Sequence, residues 1–194
     1  MKKLITIIFL LNLSLSHAYS IQPDVFVQST VNRASEILSK NISKQEKINL
    51  LKLVAKETVD IKGIGFYSLG STRKVLNDTQ KKEYFDLFED YFLKSFSSRL
   101  SEYSNPKIEV QNKEIINKNY TIVNSILVST SERPEVKIDW RIYTKNPNNP
   151  LIRDLIIEGL SLARTQKEEF ASILNSNDGD INVLFKNLEK FAEN

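Results

Sequence analysis

Two carboxylates in a β-branched segment, Asp154 and Glu158, have the spacing best suited to acid–base chemistry in this sequence. On an extended strand, residues four positions apart share one face and lie about 13 Å apart along the chain. The two carboxylates of a glycosidase lie about 5 to 9.5 Å apart. The spacing therefore disfavours a glycosidase pair and favours carboxylates that accept hydrogen bonds or face solvent at the strand and its turn.

Nucleophilic and metal chemistry are limited by the residue types present. The sequence has no Cys, and its single Met and single His are Met1 and His17. Beyond residue 18, Ser161 has no histidine to activate it, and Lys167 is six residues away. Zinc, haem and iron–sulfur sites lack their usual ligands, and no carboxylate-rich loop is suited to calcium or magnesium. We therefore expect no enzymatic activity, no cofactor and no metal.

The first eighteen residues have the organisation of a secretory signal peptide. Lys2 and Lys3 precede an apolar run over residues 4–15, which is too short to span a bilayer. The small residues Ser16 and Ala18 suit cleavage after Ala18. We expect a single soluble domain over residues 19–194, exported from the cytoplasm, with an uncleaved anchor as the alternative. No Cys near the cleavage site is present to carry a lipid.

The charge balance of this chain does not favour a strongly basic binding surface. Two lysines lie within residues 1–18, so their removal lowers the formal net charge from +3 to +1. Nucleic-acid binding is not expected at this charge. Lys81, Lys82, Lys113 and Lys118 are candidates for contact with anionic lipid headgroups, although scattered lysines usually form a solvated face.

The hydrophobic period changes from helical to extended and back to helical along the chain. Ser43 and Glu46 form a capping box, and Asp60 and Gly70 are suited to begin and end a short helix. This order predicts a single α+β domain with a four-stranded antiparallel sheet. The predicted helices cover residues 24–40, a segment from residue 43, and residues 61–69, 79–103, 161–174 and 180–191; the predicted strands cover residues 107–116, 120–130, 136–144 and 151–158.

The third predicted strand alternates cleanly between apolar and polar residues. Ile138, Trp140 and Ile142 share one face, while Asp139 and Arg141 share the other. The pattern predicts one buried face and one solvated or ion-paired face.

The helix over residues 79–103 has apolar positions spread over an arc of about 240°, compared with about 100° for an ordinary surface helix. One interpretation is a central core helix covered on both flanks. The other is that part of its aromatic surface lines a cavity for an apolar ligand. Periodicity alone does not separate them.

Several segments together resemble the MlaC family, whose members are periplasmic phospholipid-binding components of a lipid-asymmetry transport system. Residues 154–163, with the sequence D-L-I-I-E-G-L-S-L-A, are similar to a characteristic family segment. Four further similarities follow the family's order over residues 25–191: Leu69-Gly70 with the aromatic helix, Val136-x-Ile138-x-Trp140-x-Ile142, residues 165–170, and Gly179-x-Ile181-x-x-Leu184. Arg153 and the loop over residues 146–150 depart from the family's pattern.

The resemblance implies a four-stranded antiparallel sheet with flanking helices that enclose an apolar cavity for phospholipid acyl chains. It also implies exchange with an inner-membrane ABC transporter complex and an outer-membrane lipoprotein complex, transient membrane contact, and a monomeric carrier. The residues expected to line or border the cavity are Phe66, Leu69, Phe88, Tyr91, Phe92, Phe96, Trp140 and Leu155.

Three other functions remain open from the sequence. In the first, the protein is a carrier whose cargo is a squalene-like or hopanoid lipid. In the second, the protein is a secreted hydrolase or isomerase in which Asp154 is a buried base. In the third, it is a chaperone or adaptor, which would have a large exposed apolar patch and no bound small molecule.

Overall fold

In the described part of the chain, six α-helices and five β-strands follow one another in the order expected for an α+β domain. The computed structural model describes residues 20–104 and 106–193, so the predicted signal peptide lies outside the described residues. The helices are α1 (Pro23–Ser39), α2 (Lys44–Thr58), α3 (Ile61–Ser68), α4 (Asp78–Leu100), α5 (Leu162–Asn175) and α6 (Ile181–Glu193), and the strands are β1 (Ile108–Asn117), β2 (Tyr120–Leu127), β3 (Val136–Tyr143), β4 (Leu151–Ile157) and β5 (Leu160–Ser161).

Local sequence signals set the starts of the helices. The Ser43 side chain accepts a hydrogen bond from the Glu46 backbone N–H, and the Glu46 carboxylate accepts one from the Ser43 N–H, so the predicted capping box is present. Asp60 caps α3 by accepting a hydrogen bond from the Gly63 N–H at 2.8 Å. Each cap satisfies backbone donors that have no partner within the helix.

The sheet is an antiparallel meander in which each strand pairs with its neighbour in sequence, in the order β1-β2-β3-β4-β5. Ile138, Trp140 and Ile142 of β3 are buried, whereas Arg141 between them is exposed, so the predicted alternation is confirmed. The buried face of the sheet packs against the helices, and the main hydrophobic core lies between them.

A fifth strand corrects the predicted count of four. Ile157 pairs with Leu160 across a two-residue turn formed by Glu158 and Gly159, both with positive φ angles of 49° and 82°. Positive φ at both central residues is typical of a type I′ hairpin turn. The Glu158 carboxylate also accepts a hydrogen bond from the Lys137 N–H at 2.6 Å, which holds the turn against β3. The predicted fourth strand therefore turns back before it leads into α5.

Helix α4 lies at the centre of the helical layer and contacts α2, α3 and α6. Tyr84, Phe88, Leu93 and Ser97 form its buried stripe. A Cβ atom on Gly65 of α3 would lie 2.8 Å from the Phe88 ring, so glycine is what allows α3 to pack this closely. The Tyr84 hydroxyl donates a hydrogen bond to the Gly65 carbonyl at 3.0 Å, which fixes the two helices relative to each other.

Candidate functional site

An apolar cavity of about 240 Å³ lies between α4, α5 and the strands β3 and β4. Its apolar lining is largely aromatic and branched aliphatic, and its polar lining comes mainly from α4 and α5. The apolar lining residues are Val59, Ile64, Phe88, Tyr91, Phe92, Phe96, Trp140, Ile152, Leu155, Leu162 and Ala163, and the polar ones are Ser95, Arg99, Asp154, Thr165, Gln166 and Glu169.

The aromatic walls of this cavity are held by ring packing and one hydrogen-bonded chain. Phe92 and Phe96 are stacked with ring centroids 5.7 Å apart, and Phe88 meets Phe170 edge to face at 6.2 Å. The Trp140 indole N–H donates a hydrogen bond to the Ser125 hydroxyl at 2.8 Å, which in turn donates to the Ile138 carbonyl. The buried indole donor is thereby satisfied, and the ring presents its apolar surface to the cavity.

The cavity reaches solvent between α4 and α5, because its lining includes the exposed residues Arg99, Leu162 and Glu169. The Tyr91 hydroxyl donates a hydrogen bond to the Gln166 side-chain oxygen at 2.8 Å, and this bond joins the two helices at the cavity rim. Burial raises the pKa of the Tyr91 phenol, so it stays a neutral donor at neutral pH. The site therefore combines an apolar interior with a polar rim.

A second cavity of about 140 Å³ lies on the other side of a wall built from residues that border both spaces. It extends between α1, α2 and the sheet, and its lining is almost entirely apolar. We call the shared residues the dividing wall; they are Val59, Phe96, Trp140, Ile152 and Leu155.

The structure places the eight residues expected at the cavity in three different environments. Six of them line the larger cavity: Phe88, Tyr91, Phe92, Phe96, Trp140 and Leu155. Phe66 lies instead in a surface groove with Lys62 and Phe85. Leu69 is buried in the core and lines neither of the two cavities. The lipid-binding role of all eight stays a prediction.

Sequence reasoning missed the rim and the second cavity. Arg99, Gln166 and Glu169 lie on helix surfaces where polar residues are ordinary, so no sequence signal marks them. Ala34 and Ala55 line the second cavity. Small residues on both α1 and α2 were a sequence signal for space between these helices and the sheet.

Asp154 has a structural role that the spacing argument favoured. Its carboxylate is 4% exposed and accepts hydrogen bonds from the Ser161 hydroxyl at 2.6 Å and the Ala163 N–H at 3.0 Å. The Arg141 guanidinium lies 3.7 Å away. These contacts hold the start of α5 against β4. Asp154 also borders the larger cavity, so it shapes that cavity through the helix it anchors.

Within residues 20–104 and 106–193, no cluster of His, Asp and Glu side chains is arranged to hold a metal ion. None of the helices described there is both long enough and apolar enough to cross a membrane.

The fold and the site define an α+β protein with a helix-covered antiparallel meander and an internal apolar cavity open at a polar rim. The chain belongs to the MlaC family: its sequence matches the family described as "MlaC protein" over residues 28–190.

The fold is similar to that of a phospholipid-binding protein from Ralstonia solanacearum, whose structure was solved in complex with a phospholipid. The TM-score is 0.75 and the sequence identity 18%, over 89% of this chain and 98% of that one. Similarity at this level shows a shared fold. No curated protein matches the chain in sequence.

Proposed function

We propose that the protein is a periplasmic carrier that binds phospholipid acyl chains in its apolar cavity. It shuttles lipid between an inner-membrane ABC transporter complex and an outer-membrane lipoprotein complex, and so maintains the lipid asymmetry of the outer membrane. The observation that carries this proposal is the apolar cavity that opens at a polar rim between α4 and α5. Family membership and the phospholipid bound by the Ralstonia protein support it.

A carrier of this kind solves a physical problem of lipid transfer. Each acyl CH₂ group moved from a bilayer into water costs about 0.8 kcal/mol, so two chains with on the order of 30 CH₂ groups face more than 20 kcal/mol. Unaided transfer through water is therefore negligible. A carrier replaces the water around the chains with an apolar lining, and it needs few polar contacts.

The volumes indicate how the cavity accommodates its cargo. Ligand pockets commonly measure about 300 to 1,000 Å³, and the two cavities here measure about 240 and 140 Å³. Neither alone matches a lipid with two long acyl chains. Phe96 and Leu155 border both spaces and are only partly buried, and we propose that rotation of their side chains joins the two spaces. In this proposal, acyl chains displace the wall and occupy both cavities.

The polar rim suits the headgroup. Arg99 is exposed there and has no ion pair with any carboxylate that the structure describes. A guanidinium donates paired hydrogen bonds that fit a phosphate. We therefore place the lipid phosphate near Arg99, with the rest of the headgroup in solvent. An exposed headgroup would allow several lipid types to bind.

The experiment that tests the function is native mass spectrometry of the protein purified without detergent from a bacterial periplasm, followed by lipid extraction and fragmentation. We expect about one phospholipid per chain. Fragmentation also separates a phospholipid from a hopanoid or squalene-like cargo. A protein that is empty and takes up no lipid from vesicles would contradict the proposal.

Two variants connect that result to the cavity. Phe92→Asp places a charge at a partly buried position of the apolar lining, and we expect co-purifying lipid to be lost while circular dichroism stays largely unchanged. Trp140→Asp places a charge at a buried position, so it should lose co-purifying lipid and also lower the free energy of unfolding. Leu53→Asp is the matched control because Leu53 is an exposed apolar residue on α2. Unchanged lipid in both cavity variants would show that these residues do not line the binding site.

A further inference from the structure

Residues 61–82, which comprise α3, its connection to α4 and the start of α4, have a concentration of positive charge unlike that of the chain as a whole. Residues 61–82 contain five basic residues and one acidic residue, whereas the full sequence has 27 basic and 24 acidic residues. Lys81 and Lys82 are paired with Asp78 and Asp86. The other three, Lys62, Arg73 and Lys74, form no ion pair with any carboxylate in the described part of the chain. The cations without an ion pair thus lie on α3 and on the connection that follows it.

Contacts between the side chains bring most of these residues onto one surface. The groove that contains Phe66 measures about 460 Å³, and its charged lining residues are Lys62, Lys81, Lys82, Asp86 and Glu89. The two carboxylates are paired with Lys82 and Lys56. Arg73 joins this surface because its guanidinium donates a hydrogen bond to the Phe66 carbonyl at 3.3 Å. Phe66 stacks on Phe85 with ring centroids 5.2 Å apart.

An exposed apolar residue lies at the tip of the same connection. Val75 is 81% exposed and directly follows Arg73 and Lys74. An apolar tip beside unpaired cations has the chemistry of a surface that meets anionic lipid headgroups and inserts a small apolar group below them. We define the α3–α4 patch as Lys62, Phe66, Arg73, Lys74, Val75, Lys81 and Lys82.

We propose that the α3–α4 patch docks the protein on an anionic bilayer surface. This inference rests on the proposed function for its biological role, because a lipid carrier exchanges its cargo at membranes. The docking itself depends only on charge and exposure.

Another strongly exposed apolar residue, Ile115, is less suited to this role. Ile115 is 74% exposed at the end of β1, but its neighbour Lys113 is hydrogen-bonded to Asp24 and Gln22. Glu114 lies between the two. The β1–β2 hairpin therefore has a nearly balanced charge, and it provides matched controls for the α3–α4 patch.

The test is sedimentation of the periplasmic protein with vesicles of phosphatidylcholine alone or of phosphatidylcholine mixed with phosphatidylglycerol. We expect binding to the mixed vesicles that weakens with added salt and is much weaker to phosphatidylcholine. Each basic residue near an anionic surface strengthens binding about fivefold, so R73Q/K74Q should weaken it by about 25-fold. Val75→Ser should cause a several-fold loss without a change in charge.

The controls remove the same groups elsewhere. K118Q/K145Q lowers the net charge equally at exposed residues with no ion pair among the described side chains, and Ile115→Ser removes an equally exposed apolar group. Both control variants should bind the mixed vesicles with an affinity within about twofold of that of the unsubstituted protein, because neither changes the cations of the α3–α4 patch. Equal losses in R73Q/K74Q and K118Q/K145Q, or no preference for anionic vesicles in the unsubstituted protein, would overturn the proposal.

Lipid content separates this inference from the proposed function. R73Q/K74Q should fold normally and keep its co-purified lipid, because both side chains lie away from the two cavities. A protein that carries no lipid but shows patch-dependent vesicle binding would refute the carrier function and leave the docking surface established.

Discussion

The Arg153 guanidinium donates hydrogen bonds from Nε, at 2.8 Å, and from Nη2 to the same carboxylate oxygen of Asp60, 93 residues earlier in the chain. The other Asp60 oxygen caps α3. Arg153 also donates to the Tyr120 hydroxyl at 2.6 Å and stacks on the Tyr143 ring. Burial lowers the pKa of Arg153, but its bonds to Asp60 and Tyr120 outweigh this and raise it. Arg153 therefore ties α3 to the sheet.

Two substitutions of Asp60 should distinguish the contribution of the ion pair to stability from that of the helix cap. Asp60→Asn keeps a side-chain acceptor for the cap but leaves Arg153 without its carboxylate, and we expect a loss of about 2 kcal/mol in the free energy of unfolding. Asp60→Ala removes both the cap and the ion pair and should lower the free energy of unfolding by about 3 kcal/mol. Urea unfolding of both variants measures these values. Equal losses in the two would mean that the cap contributes nothing.

Sequence patterns predicted the elements whose causes are local. The Ser43 and Glu46 capping box, the Asp60 cap and the alternation in β3 each depend on residues a few positions apart. The fifth strand was missed because Glu158 adopts a positive φ, which is uncommon for a residue other than glycine.

The cavity depended on packing that sequence periodicity does not report. The aromatic surface of α4 indicated a cavity or a core, and the structure uses α4 for both, with Phe88 buried and Phe92 partly buried beside the cavity. Phe66 and Leu69 were expected there as well. In the structure, Phe66 on the short helix α3 lies in a surface groove. Which face of α3 points towards the cavity depends on how α3 packs against α4, and the sequence does not report that packing.

Tyr84 should make the protein sensitive to alkali. Burial raises the pKa of its phenol well above the usual value. Because the folded pKa exceeds the unfolded one, its contribution to stability is complete below about pH 10 and is lost as pH rises further. Tyr84→Phe should lower the free energy of unfolding by about 1 to 2 kcal/mol at neutral pH, because the Gly65 carbonyl loses its hydrogen-bond donor.

Urea unfolding from pH 7 to strongly alkaline pH checks this expectation for Tyr84. The stability of Tyr84→Phe should fall less steeply above about pH 10 than that of the unsubstituted protein. Tyr67→Phe, which changes an exposed ring, is the control. Parallel pH profiles for the protein and Tyr84→Phe would contradict the assignment.

Asp154→Asn should weaken the fold more than it affects lipid content. The amide cannot accept hydrogen bonds from both Ser161 and Ala163 as the carboxylate does, and it leaves Arg141 without its nearby charge. We expect a loss of about 1 to 3 kcal/mol in urea unfolding. Co-purified lipid should remain near one per chain. Intact stability together with the loss of a hydrolytic or isomerase activity would instead support the enzyme alternative.

The bond between Tyr91 and Gln166 should slow the release of lipid. Tyr91→Phe removes this link between α4 and α5 at the rim. A hydrogen bond of this kind contributes about 1 kcal/mol, so release to acceptor vesicles should be about fivefold faster. Transfer of a fluorescent phospholipid measures the rate, with Tyr67→Phe as the control because Tyr67 is exposed and lines neither cavity. An unchanged rate would show that the rim does not limit release.

The meander also bears on how the chain folds. Every strand pairs with the one before it, and the β2–β3 register runs without a shift from Tyr120 with Tyr143 to Leu127 with Val136. A sheet built from neighbouring segments closes short loops, which favours rapid folding. With no Cys in the sequence, maturation needs no oxidation step. After export to the proposed periplasmic location, such a chain would assemble its sheet quickly and without a redox catalyst.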